Sequence, residues 1–224
     1  MGFRYLTVTL AMKRFLFLDC DSTLSAIEGI DELARLKGPE VFAKVEDLTN
    51  QAMNGEVPIG EVFARRLDLI QPSAADCQTV GQQYIEHMPE GLEEALAEAR
   101  KLGWTPVIIS GGFVDCIHPL AEHLGIESIE AVPLEFDQTG AYQGYDLEAP
   151  TTRNGGKPEI IADYLKRHPE SLSCMVGDGI SDMECEEVAD RFIACFCFVE
   201  RAKLTEASPL QIRHFKELNS LLPT

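Results

Sequence analysis

Basic residues are scarce in this chain. Lysine and arginine together supply 19 of 224 residues against 37 aspartates and glutamates, leaving a net charge of −18. Such a field repels a phosphate backbone, and no basic stripe interrupts it, so nucleic acid is not an expected partner. A small anionic substrate would need a local cation site built against that field. No apolar run approaches the ~18 residues that a membrane-spanning helix requires, so no membrane partner is expected either. The seven cysteines are an odd number, and none is spaced as CxxC. That usage fits reduced, mostly buried thiols in a cytoplasmic protein. The chain has no repeats, no low-complexity tract and no GxxxxGK[ST] phosphate loop. Residues 1–11 carry a short apolar stretch without a clean cleavage site. They are expected to be an extension or one extra edge strand.

What is present is a rhythm. Residues 14–19 (RFLFLD) form the continuous apolar run of a buried parallel strand. Four helical patterns follow without a strand between them. Ile27, Ile30, Leu33 and Leu36 share one face; Val41, Phe42, Val45, Leu48 and Met53 a second; Ile59, Val62, Phe63, Leu67 and Ile70 a third. Ser73 is the expected N-cap of a fourth, running to about residue 88. After Pro89, strands and helices alternate: strands at 105–110, 128–136, 173–178 and 191–199, a hairpin tip or flap at 137–146, and helices between them, including one over SDMECEEVA. Cys195 and Cys197 are expected on one side of the last strand. This order predicts an α/β, Rossmann-like fold with a mostly parallel sheet and helices on both faces. A helical-bundle cap, 25–88, is inserted after the first strand, so the core comprises 1–24 and 89–224.

Three strand ends carry polar residues, and ligands of open α/β sheets sit at such ends. They read Asp19-Cys20-Asp21-Ser22-Thr23, Ser110-Gly111-Gly112, and Gly177-Asp178-Gly179 with Ser181 and Asp182 behind. Acids from separate strand ends, with no Cys/His set nearby, favour a hard cation such as Mg²⁺ over zinc. The hydroxyl of Ser110 and free backbone N–H groups at Gly111-Gly112 suit phosphate oxygens. Lys157, at a helix start, would supply the missing cation. Two carboxylates so close then have separate tasks. Asp19 would attack phosphorus to form an aspartyl phosphate, and Asp21 would act as acid and then base. Singly, each feature also has an ordinary structural explanation: a DxD or GDG in a loop, a GG turn, a surface lysine. Their order and placement together point to chemistry.

The ordered set resembles the haloacid dehalogenase superfamily of phosphotransferases, over about residues 14–199, and within it the phosphoserine phosphatase family. The resemblance rests on DxDST at 19–23, SGGF at 110–113 and GDG at 177–179. It implies Asp19 as nucleophile and Asp21 as general acid/base. It also implies Mg²⁺ held by Asp19, the Asp21 carbonyl and Asp178, with Asp182, Ser181 and Gly179 in support, and phosphate on Ser110, Gly111 and Lys157. In the helical insert, Glu28 would meet a substrate ammonium and Arg66 a carboxylate, with Ile59 and Met53 along the substrate wall. The implied activity is Mg²⁺-dependent hydrolysis of O-phospho-L-serine by a monomer or homodimer. Three departures from the family pattern stand out: Cys20 between the aspartates, Ile59 where a Phe is usual, and Ser181 where an Asn is usual. They leave open a phosphatase or phosphotransferase acting on another small phosphomonoester, or a non-catalytic binder of phosphorylated amino acids.

Overall fold

Alternation along the first strand sets the layering. In β1 (Arg14–Leu18), Phe15 and Phe17 face one apolar cluster and Leu16 and Leu18 the other. A strand buried on both faces calls for cover on both, and the computed structural model, which describes residues 12–53 and 59–224, supplies it. Each fully buried side chain of this kind contributes about 1.5–3 kcal/mol.

The chain continues through α1 (Gly29–Leu36), α2 (Pro39–Met53), α3 (Ile59–Ile70) and α4 (Ala74–Glu86), then α5 (Leu92–Lys101), β2 (Trp104–Phe113) and α6 (Val114–Leu124). Next come β3 (Ser128–Val132), the hairpin of β4 (Leu134–Phe136) and β5 (Tyr142–Tyr145), α7 (Gly156–Arg167), β6 (Leu172–Gly177) and α8 (Ile180–Met183). It ends with β7 (Arg191–Cys195), α9 (Ala202–Ala207), β8 (Gln211–Ile212) and α10 (Leu218–Leu221). Among the described residues six strands form one parallel sheet in the order β3-β2-β1-β6-β7-β8. Strands run outward from β1 in both directions, so β1 and its two neighbours mark the topological switch point.

Helices α1 to α4 follow β1 as the periodicity predicts. Ser73 caps α4 through a reciprocal pair with Asp76, and α4 packs on α6 as well as on α1. Leu33, Val45, Leu67 and Val80 of this block join the apolar cluster that covers the Leu16 face of the sheet. No helix among the described residues is long and apolar enough to cross a membrane.

Several boundaries differ from the sequence reading. Leu36 is exposed rather than part of the α1 apolar face. The strand expected at 128–136 breaks at Pro133, which has no N–H for a ladder, and β4 leaves the main sheet to pair with β5. SDMECEEVA forms only the short α8 followed by a 3₁₀ turn over Glu184–Glu187. The last long strand stops at Cys195, so Cys197 lies beyond it. A sixth strand, β8, escaped notice because two residues carry no period. Residues 1–11 and the turn near Gly55 lie outside the described residues, as do the side chains of Met53 and Ile59.

Candidate active site

Register brings the polar strand ends together. Leu18 of β1 stands level with Ile108 of β2 and Val176 of β6, and the Asp19 N–H donates to the Val176 carbonyl at 2.9 Å. Two residues beyond those partners come Ser110 and Asp178. The three ends line one cavity of about 340 Å³, together with Glu28, Phe63 and Arg66 from the helical block.

Asp19, Lys157, Asp178 and Asp182 are all buried in this region. The Lys157 ammonium bridges Asp19 Oδ1 at 2.7 Å and Asp182 Oδ1 at 2.6 Å. Burial opposes its charge, yet Asp182 and Asp19 together raise its pKa, so it stays an ammonium. Burial raises the Asp19 carboxyl well above its ordinary value, and the Asp182 charge pushes it further, against the pull of Lys157. Asp182 does not line the cavity; it sits behind Lys157 and accepts the Gly179 N–H at 2.8 Å through its other oxygen. Gly177 makes room for it, since a Cβ there would lie 2.2 Å from the Asp182 carboxyl carbon. The spacing of GDG to Asp182 is thus a packing requirement as well as a chemical one.

Asp178 is held from two sides. Thr23 donates to Oδ1 at 3.3 Å, while Arg201 donates to Oδ2 through Nε at 2.9 Å and Nη2 at 2.7 Å. Arg201 was missed in the sequence, where residues 200–224 carried no motif. Burial raises the Asp178 carboxyl and Arg201 opposes the rise. One oxygen from each of Asp19, Asp178 and Asp182 lies within 4.8 Å of the others. Three buried carboxylates, in an all-oxygen set, fit a hard divalent cation.

Beyond β1 the chain turns sharply. The Leu24 N–H returns to the Cys20 carbonyl at 2.9 Å, and Ser22 takes the left-handed region at φ 54°. That conformation costs a non-glycine residue roughly 1–2 kcal/mol. It also aims the Ser22 hydroxyl at Glu28 Oε1, 2.7 Å away. Cys20 points into the apolar core, fully buried, and burial raises its thiol pKa well above the ordinary value. Asp21 Oδ1 accepts the Gly29 N–H at 2.9 Å and the hydroxyl of Tyr84. The Gly111-Gly112 pair is not a turn after the strand but the irregular end of β2, where pairing with β3 shifts register. There Ser110 Oγ accepts the Gly112 N–H at 2.9 Å.

The helical block contributes a different kind of group. Glu28 stands at the cavity rim, and its partial burial, followed by the nearby Asp21 charge, pushes its carboxyl up to about 7. Burial lowers the Arg66 pKa against the pull of Asp31 and Glu28. Among the described residues Arg66 makes one long bond, 3.5 Å, to Thr49 Oγ1, and its buried Nε has no partner. Ser181 is exposed on the cavity wall, and Gly179 lines it too.

Residues 16–187 match the model of the haloacid dehalogenase-like hydrolases. The chain belongs to that family. Its relatives within the family include phosphoserine phosphatases: the Bos taurus protein is 36% identical over 202 residues, spanning 89% of each chain. The chloroplastic one of Arabidopsis thaliana is 36% identical over 194 residues, 85% of this chain and 65% of that one. Among solved structures, a phospho-aspartyl intermediate analogue of phosphoserine phosphatase superposes with a TM-score of 0.77 at 27% identity, covering 95% of this chain and all of that one. A substrate-bound phosphoserine phosphatase complex gives 0.77 at 25% identity, over 94% and 99%. This hydrolase therefore shares its fold with a phosphoserine phosphatase captured as an analogue of a phospho-aspartyl intermediate, the chemistry expected of Asp19.

Proposed function

We propose that this hydrolase cleaves O-phospho-L-serine to serine and phosphate through a phosphorylated Asp19, with α1 to α4 serving as the cap over the site. The observation that carries the reading is the joining of two sets of groups in one cavity. One set is the nucleophile–lysine–serine cluster; the other is an acid, Glu28, and the half-buried Arg66, whose buried Nε has no partner among the described residues. An amino acid's ammonium and carboxylate would complete that second set, and buried polar groups left unpaired select against substrates lacking a partner. Relatives named as phosphoserine phosphatases support the same reading.

In this mechanism Lys157 holds Asp19 in place, and together with Ser110 and the Gly111 N–H it receives the phosphate oxygens. The Asp19 oxygen attacks phosphorus as the ester bond breaks, and Asp21 gives the leaving serine oxygen its proton. Asp21 then takes a proton from the water that cleaves the aspartyl phosphate. Asp19, Asp178 and the Asp21 carbonyl would hold Mg²⁺, with Asp182 and Gly179 in support, and the ion would offset charge developing on the phosphoryl oxygens. Cytoplasmic serine formation agrees with seven free cysteines, six of them buried.

The test is phosphate release from L-phosphoserine with Mg²⁺ or with EDTA, beside a panel of sugar and acyl phosphates with and without acceptor alcohols. Metal-dependent release strongest for phosphoserine, and abolished in Asp19→Asn, is expected. Release only from other esters would refute the substrate, and transfer to an alcohol would make the protein a phosphotransferase.

A further inference from the structure

Asp21 is held by one oxygen only. Gly29 and Tyr84 both donate to Oδ1, and among the described residues nothing donates to Oδ2. Oδ2 instead faces the cavity wall at Gly112, 3.1 Å from where a Cβ on that glycine would sit. Tyr84 is fully buried on α4 and belongs to the apolar cluster, so its ring is anchored by packing. α4 comes close enough to deliver it because Gly81 lies against the Pro119 ring of α6. On the other side, Gly29 leaves space for the hydroxyl, since a Cβ there would lie 2.1 Å from Tyr84 Oη. A buried tyrosine needs a partner for its hydroxyl. Here two glycines and a helix contact direct that need onto one oxygen of one carboxylate.

We propose that Tyr84 is a positioning residue for the acid/base step: from α4 it fixes Asp21 Oδ1 and so presents Oδ2 to the substrate. This rests on the acid/base role given to Asp21 above. In the first half-reaction the bond from phosphorus to the serine oxygen breaks as the Asp19–phosphorus bond forms, and the proton on Oδ2 passes to the departing oxygen. In the second, a water oxygen bonds to phosphorus, the Asp19–phosphorus bond breaks, and a water proton returns to Oδ2. Both transfers need the same oxygen at the same place, and proton transfer is sensitive to such geometry. The contact also links the two parts of the molecule, because the helical block reaches the catalytic loop through it.

The test compares leaving groups in rapid-mixing experiments on Tyr84→Phe. With phosphoserine, whose alkoxide must be protonated, kcat should fall roughly tenfold to hundredfold with little change in KM. With 2,4-dinitrophenyl phosphate, whose phenolate leaves without a proton, the initial burst should stay within about twofold of wild type. Gly29→Ala keeps the phenol but sets a methyl group against its hydroxyl, and should reproduce the split; the double variant should be no slower than the slower single one. Unchanged kcat in both single variants would overturn the proposal. So would equal slowing of both substrates' first step, the mark of a loosened site. If the wild-type enzyme ignores phosphoserine but cleaves another alkyl phosphate, the substrate assignment fails instead, and the same comparison on that ester decides the role of Tyr84.

Discussion

The two sides of the cavity are built on opposite terms. On the sheet side Lys157 is clamped between Asp19 and Asp182, and Asp178 is gripped by Thr23 and Arg201. These carboxylates and their cations are paired within the protein itself. On the helical side, among the described residues, Glu28 has a single short bond, from Ser22, and Arg66 has a long one with its Nε unpartnered. A preorganised cluster can stabilise charge without rearranging during the reaction, whereas incompletely paired groups gain most when a ligand arrives. The sheet side is thus suited to chemistry on any phosphomonoester, and the helical side to choosing among them.

The strongest way to break that contrast is to remove the ammonium at its centre. Lys157→Met leaves Asp19 and Asp182 buried beside each other without a cation. Turnover should vanish, and removing one partner of a buried ionic cluster should cost about 3–5 kcal/mol. The sign with pH follows from the charges. The Lys157 pKa is raised in the fold, so its contribution is in place at neutral pH. The Asp19 pKa is raised too, so acidification neutralises the repulsion that the variant exposes. Thermal unfolding in EDTA should therefore show a large gap between variant and wild type near neutrality that narrows as pH falls. A gap that widens in acid would mean that Lys157 is not what offsets the paired carboxylates.

Arg66→Ala probes the other side and should behave differently. No described partner of Arg66 is left stranded by its removal except Thr49, so stability should change little. A charged hydrogen bond lost to the substrate is worth about 1.5–3 kcal/mol, which corresponds to roughly tenfold to hundredfold in KM for phosphoserine. An ester of similar size lacking the carboxylate should be affected far less. Steady-state kinetics on the pair measures this, and equal losses on both would remove Arg66 from the substrate site.

The sheet side was legible in the sequence because each part stood at the end of an apolar run. RFLFL, VIIS and SCMVG read as strands, so the polar residues closing them fell at one edge. Lys157 could be included by its order alone; nothing local distinguishes it from a surface lysine, and only tertiary packing makes it 6% exposed. Arg201 and Tyr84 were not legible, for different reasons. Arg201 precedes the short helix α9 in a stretch without clear periodicity. Tyr84 sits where an amphipathic helix is expected to bury an aromatic, and its one polar atom gives no sign in sequence of the carboxylate 63 positions earlier. Similarly, the two-residue β8 and the break at Pro133 depend on which strand lies alongside, and a one-dimensional pattern does not carry that.

The smallest expected effect lies at the rim, where Glu28 is pushed up to about 7 by its partial burial and then by Asp21. A raised carboxyl pKa means that the group loses its charge early as the solution is acidified. The substrate ammonium keeps its charge over that range, so its partner disappears while it does not. KM for phosphoserine should rise severalfold, at most about tenfold, between about pH 8 and about pH 6. An ester without an ammonium passes through the same phosphate titration but lacks this term, so the ratio of the two KM values isolates Glu28. In Glu28→Gln the ratio should be flat with pH and set near the wild-type value in acid. A ratio that stays flat in the wild type would place the ammonium elsewhere in the cavity. A ratio that still climbs in the Gln variant would assign the titration to a different carboxylate, with Asp31, raised by its own burial near Arg66, the next to test.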